Sequence, residues 1–549
     1  MSGIPDSLST GVYLPWHFNG HDHTVPESIA LYPSALSPEE VALVARRDAH
    51  VDISADSMAA MAASRLIVES LAENPTPAYG ISTGFGALAT VHIAADQRAQ
   101  LQRSLVRSHA AGAGPEVERE VIRATMLLRL HTLATGHTGV RPSTAAAYAA
   151  MLNAGITPVV HEYGSLGCSG DLAPLSHIAL ALMGEGQVRD SSAQLMTAAQ
   201  ALENAGLTPV VLAEKEGLAL INGTDGMLGM LVLAIADLQC LLTSADIAAA
   251  MSIEAALGTD STLNAMLIAM RPHPGQARSA AVMRAIIKDS PIVASHAGPE
   301  DTRVQDAYSM RCAPQVHGAA RDTLDHAARV AGWELASAID NPVVTPDGRV
   351  ASNGNFHGAP VGYVLDFLAI ACADVASMSE RRTDRLLDRH RSHGLPPFLA
   401  HDVGVDSGHM IAQYTAAGIV HELKRLAVPA SVDSIPSSAM QEDHVAMGWS
   451  AARKLRTAVH GLATVIGIEV LTAARALDLR APLQPAPATA AVVALVREQV
   501  SGPGPDRFLA PEIAAVTALV ESGAVVAAAE MHTGPIDVIA EAAHPFIKE

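Results

Sequence analysis

The chain has 549 residues, 49% hydrophobic but only 3% aromatic, so Ala, Leu, Val and Ile supply most of its apolar content. Alanine has the best helix propensity, and a chain of this length and composition is expected to form long, closely packed helices. A net charge of −20 repels phosphate backbones and argues against nucleic acid as a partner.

In chain order, residues 1–30 are rich in Gly, Pro, Ser and His and form an irregular lead-in. His21-Asp22-His23 is expected to be part of a frayed polar tail rather than a metal site. No basic stretch followed by an apolar run opens the chain, so no secretory signal is expected. Helical patterning begins near Ser37-Pro38-Glu39-Glu40, with a Ser cap, a Pro at the first helical position and early acids. Asn74–Thr90 breaks into a glycine-rich loop, and helices resume from about Asp96 to Leu152. Gly155–Ala173 is a second irregular segment, and Leu207–Gly223 suggests brief strands or turns. From about Thr224 onward alanine-rich helices dominate, with loops at 297–317, 340–360, 393–409 and 427–442. Gly502-Pro503-Gly504-Pro505 marks a further break before a helical tail, and no fixed-period repeat is apparent.

This organisation divides the chain into the lead-in 1–30, an N-terminal part 31–223 carrying the informative loops, and a long-helix bundle 224–549. Mean hydropathy is +0.23. The most apolar stretches are Met227–Leu242, broken by Asp237, and Gly362–Met378, which carries Asp366 and Asp374. Both are expected to be core helices rather than membrane spans. The four cysteines lie 60 or more residues apart, with no metal-binding or disulfide-framework spacing, so reduced thiols in the cytoplasm are expected. The basic run from Arg381 to Arg391 also holds Glu380, Asp384 and Asp388. It is expected to be a solvated or subunit-contacting helix face with paired charges.

The segment Gly164-Ser165-Leu166-Gly167-Cys168-Ser169-Gly170-Asp171-Leu172-Ala173-Pro174-Leu175-Ser176-His177 stands out. Ser169 does not sit in a G-x-S-x-G nucleophile elbow, because Asp171 stands where the second glycine would be. Alone, the segment is equally a tight turn capping a helix near Leu172, with Ser169 or Asp171 as cap. Tyr79-Gly80-Ile81-Ser82-Thr83-Gly84-Phe85-Gly86 is by itself a glycine-rich turn with a packing tyrosine, or a site for one. Leu218–Thr224 with Asn222, Gln305–Arg311, Asn353–Gly358 with Phe356, Ser108-His109, and Gln441-Glu442-Asp443-His444 complete the polar punctuation. Taken singly, Arg311 and Glu442 are ordinary surface charges, Phe356 an ordinary core residue, and His109 a helix-terminal histidine.

Taken together, from about residue 40 to the end, these segments resemble the aromatic amino-acid ammonia-lyase family. The resemblance implies a mainly α fold, a long-helix bundle of the aspartase/fumarase-like type with an N-terminal loop-rich catalytic part. It implies that Cys168-Ser169-Gly170 cyclises. The Gly170 nitrogen attacks the Cys168 carbonyl, two waters leave, and a methylidene-imidazolone (MIO) electrophile remains. Glycine suits the attacking position because it lacks Cβ. Cys168 stands where the family more often has Ala, but only its backbone enters the ring.

The resemblance further implies roles for the other segments. Tyr79 is the base for the β-proton, a phenol whose pKa must be lowered by positive surroundings. Asn222 bonds the modified loop or the amino-acid head group. Gln305 and Tyr308 organise the electrophile and the leaving amine, Arg311 grips the α-carboxylate, and Phe356 keeps the electrophile dry. His109 and Glu442 address the substrate ring. Phenylalanine-type members carry an apolar pair at Ser108-His109, where histidine- and tyrosine-type members carry Ser-His, so His109 implies a polar ring. Phenylalanine- and tyrosine-type members more often carry a glutamine at Glu442, so the carboxylate favours L-histidine as substrate and urocanate as product, the first step of histidine degradation. A tyrosine ammonia-lyase or an MIO-dependent aromatic aminomutase is the alternative. Family members are homotetramers with active sites drawn from three subunits. No pyridoxal phosphate and no metal are expected: there is no H-E-x-x-H pair, lysine is scarce, and no phosphate-cradling loop precedes a helix.

Overall fold

The computed structural model describes residues 28–73, 83, 93–167, 170–298 and 304–544. The helices are α1 Pro38–Arg47, α2 Ala55–Glu73, α3 Arg98–His109, α4 Arg119–Ala134, α5 Pro142–Asn153, α6 Leu172–Leu182, α7 Ala198–Asn204 and α8 Glu216–Ile221. They continue as α9 Asp225–Ala255, α10 Ala265–Ala269, α11 Pro274–Ile286, α12 Pro291–Ala294, α13 Tyr308–Arg311, α14 Ala313–Leu335, α15 Ala359–Leu387 and α16 Met410–Leu426. α17 Gly448–Asp478, α18 Pro487–Gln499, α19 Leu509–Glu521, α20 Ala524–Thr533 and α21 Ile536–Ala542 complete them. The strands are short: β1 Ser28–Leu31, β2 His50–Ile53, β3 Ala113–Glu116, β4 Thr157–Pro158, β5 His161–Tyr163, β6 Gln187–Arg189, β7 Leu195–Thr197, β8 Val343–Val344 and β9 Val350–Ala351. β1 and β2 pair in parallel, while β3 with β5, β6 with both β4 and β7, and β8 with β9 are antiparallel. The fold is mainly α, as expected.

Local sequence explains the element ends. Ser37 and Glu40 form a reciprocal capping box (3.2 and 2.8 Å), and Pro38 opens α1. The expected helical span 96–152 divides into three helices. Gly112–Pro115 interrupts it at β3, and the loop ahead of Pro142 interrupts it again. Leu207–Gly223, expected as brief strands or turns, holds a turn at Glu214-Lys215 and no strand, and Glu216–Ile221 is helical. Buried Glu216 there accepts from Arg141, from the Thr144 hydroxyl and from the Ala213 N–H, which fixes the turn into α8. Sequence periodicity carries no sign of that distant partner.

The centre is built from α9, α15 and α17. All residues of α9 except Asp237, Gln239 and Cys240 are buried, which marks a helix surrounded by protein on every side. Asp237 leaves the bundle by meeting Arg46 and Arg456. Glu216–Ala255, Ala359–Leu387 and Gly448–Asp478 are long and apolar enough to cross a membrane by length and composition. However, 83%, 61% and 78% of their most apolar windows are buried inside the protein, so the helices satisfy one another. Buried polar pairs register them. Arg382 on α15 meets Glu469 on α17 at 2.6 Å, and Glu469 accepts from Ser252 on α9 at 2.7 Å. This corrects the expectation for the basic run: Arg382 is fully buried, whereas Arg381 and Arg391 are exposed and pair with buried Glu380 and half-buried Asp384 and Asp388. Most buried apolar residues, from Ile29 to Ala540, join one core cluster, and Val68 and Val344 form a second, smaller one.

Candidate active site

The glycine-rich segment leaves β5 at Tyr163 and enters α6 at Leu172. Cys168, Ser169 and Tyr79 lie outside the described residues. Their surroundings define the site. The Leu166 carbonyl accepts from Met447 N–H at 2.8 Å, immediately before α17. The Gly167 carbonyl accepts from Gly358 N–H at 3.0 Å, immediately before α15. Asp171 N–H donates to the Gly223 carbonyl at 2.7 Å, immediately before α9. The three long helices therefore run parallel, with their N-termini on this loop, and α6 starts there too. Aligned peptide dipoles make that junction electropositive, a setting for electron-rich ligands.

Gly170 has φ +78°, and a Cβ there would overlap the backbone of Gly223. Angle and space both require glycine at this position. The loop thus offers the compressed, side-chain-free turn that closure of Gly170 onto Cys168 needs.

Asp171, legible in the sequence only as a cap for its own helix, does not cap α6. Its Oδ2 accepts from Gly226 and Met227 N–H at 2.8 and 2.9 Å, at the start of α9. Its Oδ1 accepts from the Ser165 hydroxyl at 2.8 Å, and Ser165 Oγ accepts from Gly167 N–H at 3.2 Å. Burial pushes the Asp171 carboxyl up to about 7, against hydrogen bonds that favour its ionised form.

Asn222 ends α8 and is buried. Arg129, itself fully buried, holds Asp225 and donates to the carbonyls of Ala219 and Asn222 at 3.0 Å each. Asn222 Nδ2 donates to the Asn341 carbonyl at 3.0 Å, while its Oδ1 is buried and has no partner among the described residues. A buried acceptor left open is costly unless a donor arrives. Asn341 continues the network: Lys215 meets the adjacent Asp340 at 2.5 Å, and Asn353 bonds both Asp340 and Asn341. That ties the Asn353–Gly358 loop, with half-buried Phe356, to Asn222.

His109 closes α3. Its Nδ1 faces the Leu105 carbonyl at 2.9 Å; a carbonyl only accepts, so the ring proton is on Nδ1. Burial lowers the His109 pKa, opposed by the Leu105 carbonyl and by the charge of Glu442. Glu442 is half-buried, accepts from the Ser437 hydroxyl at 2.9 Å, and lies five residues before Met447, which touches the loop. The structure therefore gathers Gly170, Asn222, Phe356, His109 and Glu442 around one loop.

Gln305, Tyr308 and Arg311 are elsewhere. The Ser309 carbonyl accepts from Arg382 Nη1 at 3.1 Å. Arg382 is 24 residues along α15 from Gly358, about 35 Å at 1.5 Å per residue. Within one chain these three residues do not reach the loop. Tyr308 is 70% exposed, the Arg311 guanidinium lies 4.7 Å from its ring centroid, and Arg311 Nε is buried with no partner among the described residues. Sequence reasoning missed Ser165, Asp171 as an organiser of α9, Arg129 and the Lys215–Asp340–Asn341 link. Their signal is a charge or hydroxyl inside an otherwise apolar or glycine-rich stretch.

Residues 36–498 match the family model described as aromatic amino acid lyase. The histidine ammonia-lyase of Streptomyces griseus is 64% identical over 512 residues, 93% of this chain and 99% of that protein. Among solved structures, the tyrosine aminomutase of Streptomyces globisporus superposes with a TM-score of 0.87 at 38% identity, covering 92% of this chain and 99% of that one. The histidine ammonia-lyase of Trypanosoma cruzi gives 0.86 at 36% identity, covering 95% and 98%.

Proposed function

The chain belongs to the aromatic amino acid lyase family, and from that premise we propose that it removes ammonia from L-histidine to give urocanate, the first step of histidine degradation. The family implies an MIO group formed from Cys168-Ser169-Gly170, which when present supplies an electrophile that activates the amino acid for loss of ammonia. The obligate glycine at 170 and the convergence of helix N-termini fit such a group. No pyridoxal phosphate and no metal enter the reading.

The residues of the chain then take these parts. Asn222 Oδ1 accepts from the incoming head group or the modified loop. Glu442 accepts from the imidazole N–H of the substrate, with His109 beside it. Phe356 excludes water. Tyr79 takes the β-proton, its phenol needing the electropositive junction to act as a base. The observation that carries the substrate is the placement of a carboxylate, Glu442, within electrostatic reach of His109 next to the loop. A phenyl ring would strand that carboxylate away from water.

Gln305, Tyr308 and Arg311 reach such a site only from another copy of the chain, which supports a homotetramer with shared active sites. Tyr363, Phe367 and Ile370 support it as well. They form an exposed apolar stripe at i, i+4 and i+7 on α15. The three described cysteines form no disulfide, in keeping with a cytoplasmic setting.

The test is incubation with L-histidine, L-tyrosine and L-phenylalanine in turn, following acrylate absorbance and released ammonia. Urocanate from histidine, abolished by Ser169→Ala, is expected. Turnover of tyrosine without histidine would overturn the role of Glu442 and leave the electrophile standing.

A further inference from the structure

We propose that His177 and His161 are positioning residues that hold His109 at its working distance from the electrophile loop. The proposal rests on the reading of His109 given above. After α3 ends at His109, the chain crosses to β3 through Ala110, Ala111 and Gly112. Ala111 and residues 113–116 are exposed, so the crossing has little apolar burial to fix it. Segments of that kind take their position from hydrogen bonds.

Two of those bonds come from the flanks of the electrophile loop. Gly112 N–H donates to His177 Nε2 at 3.1 Å. His161 Nδ1 donates to the Gly114 carbonyl at 2.9 Å. His161 lies in β5, which enters the loop, and His177 in α6, which leaves it. The two rings meet edge to face, 5.7 Å between centroids. A Cβ on Gly112 would stand 3.0 Å from His177 Nε2 and 3.4 Å from His161 Cβ, and one on Gly164 would stand 3.3 Å from Gly112 Cα. The crossing behind His109 is therefore seated between both ends of the segment that carries Cys168-Ser169-Gly170, and the β3–β5 pairing of Ala113 with Tyr163 adds a main-chain tie.

The chemistry fixes the protonation of each ring. His177 Nε2 accepts, so its proton is on Nδ1. His161 Nδ1 donates to a carbonyl, so it carries one. Burial, with His161 alongside, keeps His177 below the usual histidine pKa, as an acceptor role requires. Neither histidine needs to touch the substrate. Each fixes the backbone three to five residues beyond His109, and a displacement of order 1 Å at a substrate-orienting group costs up to about a hundredfold in kcat/KM.

The experiment compares His177→Phe, which keeps ring volume and removes the acceptor, with His177→Gln, whose amide oxygen can accept from Gly112. Hydrogen exchange across 109–116 and steady-state kinetics on L-histidine are measured for the whole enzyme. His177→Phe is expected to speed exchange at Gly112 by at least about tenfold and to raise KM roughly five- to tenfold with kcat within about twofold. The loss of two waters should be intact, and His177→Gln should return both readouts to near the parent values. Faster exchange with an unmoved KM, or a lowered Tm as the only change, would mean an ordinary structural role and overturn the proposal. Unchanged exchange would overturn it outright. Should His177→Phe fail to fold, His161→Phe, which removes only the bond to Gly114, is judged by the same criteria. If the parent enzyme does not deaminate histidine, the functional reading fails by itself, and the proposal is then decided by KM for whichever amino acid the enzyme does turn over.

Discussion

A half-buried carboxylate held by Ser437 and acting on His109 favours a ligand that brings a hydrogen-bond donor, and an imidazole N–H does so where a phenyl ring does not. Glu442→Gln is therefore expected to lower kcat/KM for L-histidine roughly ten- to a hundredfold, the worth of about 1.5–3 kcal/mol for a hydrogen bond to a charged group. Steady-state kinetics check this, with an intact mass that still lacks two waters. Gly170→Ala tests the other half of the site. Its Cβ would overlap the Gly223 backbone at φ +78°. Mass spectrometry should find a chain that retains both waters, and activity should be lost. His109 and Glu442 stand out in the sequence only through the family resemblance, which assigns them to the substrate ring; taken singly they read as a helix-terminal histidine and a surface charge. The part played by Asp171 does not stand out at all. Nothing local says that Gly226 and Met227, more than fifty residues on, return their N–H groups to its carboxylate. The orphaned Oδ1 of Asn222 is likewise a property of packing, not of the motif around it.

Helix ends are the elements' most readable feature, and also where the fold stores its charge couplings. Ser37-Pro38-Glu39-Glu40 announces α1 because every bond of its cap is local. α8 is hidden because Glu216 depends on Arg141 and Thr144, more than seventy residues away. The start of α16 shows the same dependence on distant partners. His409 is buried against Thr472, its Nδ1 3.2 Å from the hydroxyl. Burial pulls its pKa down to about 3, helped by the positive charges of Arg475, Arg507 and Arg497. The folded value lies below the unfolded value of about 6.5, so neutral His409 contributes stability fully above that pH. The contribution is lost as pH falls from about 6.5 toward 3, at up to about 1.4 kcal/mol per pH unit. His409→Gln should therefore lose less Tm than the parent between pH 7 and pH 5. Identical pH slopes in thermal melts would show that His409 is not proton-linked to folding.

At the scale of the whole molecule, the long helices that bring four N-termini to one loop also carry Gln305, Tyr308 and Arg311 to the opposite end, about 35 Å away along α15. Their chemistry suits a carboxylate and an amine, with Arg311 aligned over an exposed Tyr308 and its Nε without a partner among the described residues. A rigid core of mutually buried helices does not bend by that distance. The two half-sites meet only if copies pack with their long helices antiparallel. That arrangement would also cover the apolar stripe of Tyr363, Phe367 and Ile370. Sequence motifs name both half-sites but carry no information about which chain supplies each. Complementation does. Ser169→Ala and Arg311→Met chains are each expected to be inactive alone. Co-expressed in equal amounts, they should form mixed oligomers in which about one quarter of sites draw an intact loop from one copy and an intact arginine from another. Purified mixed protein should then show about a quarter of the parent kcat per site. Sites built within a single chain would give none, because every chain carries one lesion, and that result would overturn the shared site; an active Arg311→Met chain would instead place Arg311 outside the catalytic centre.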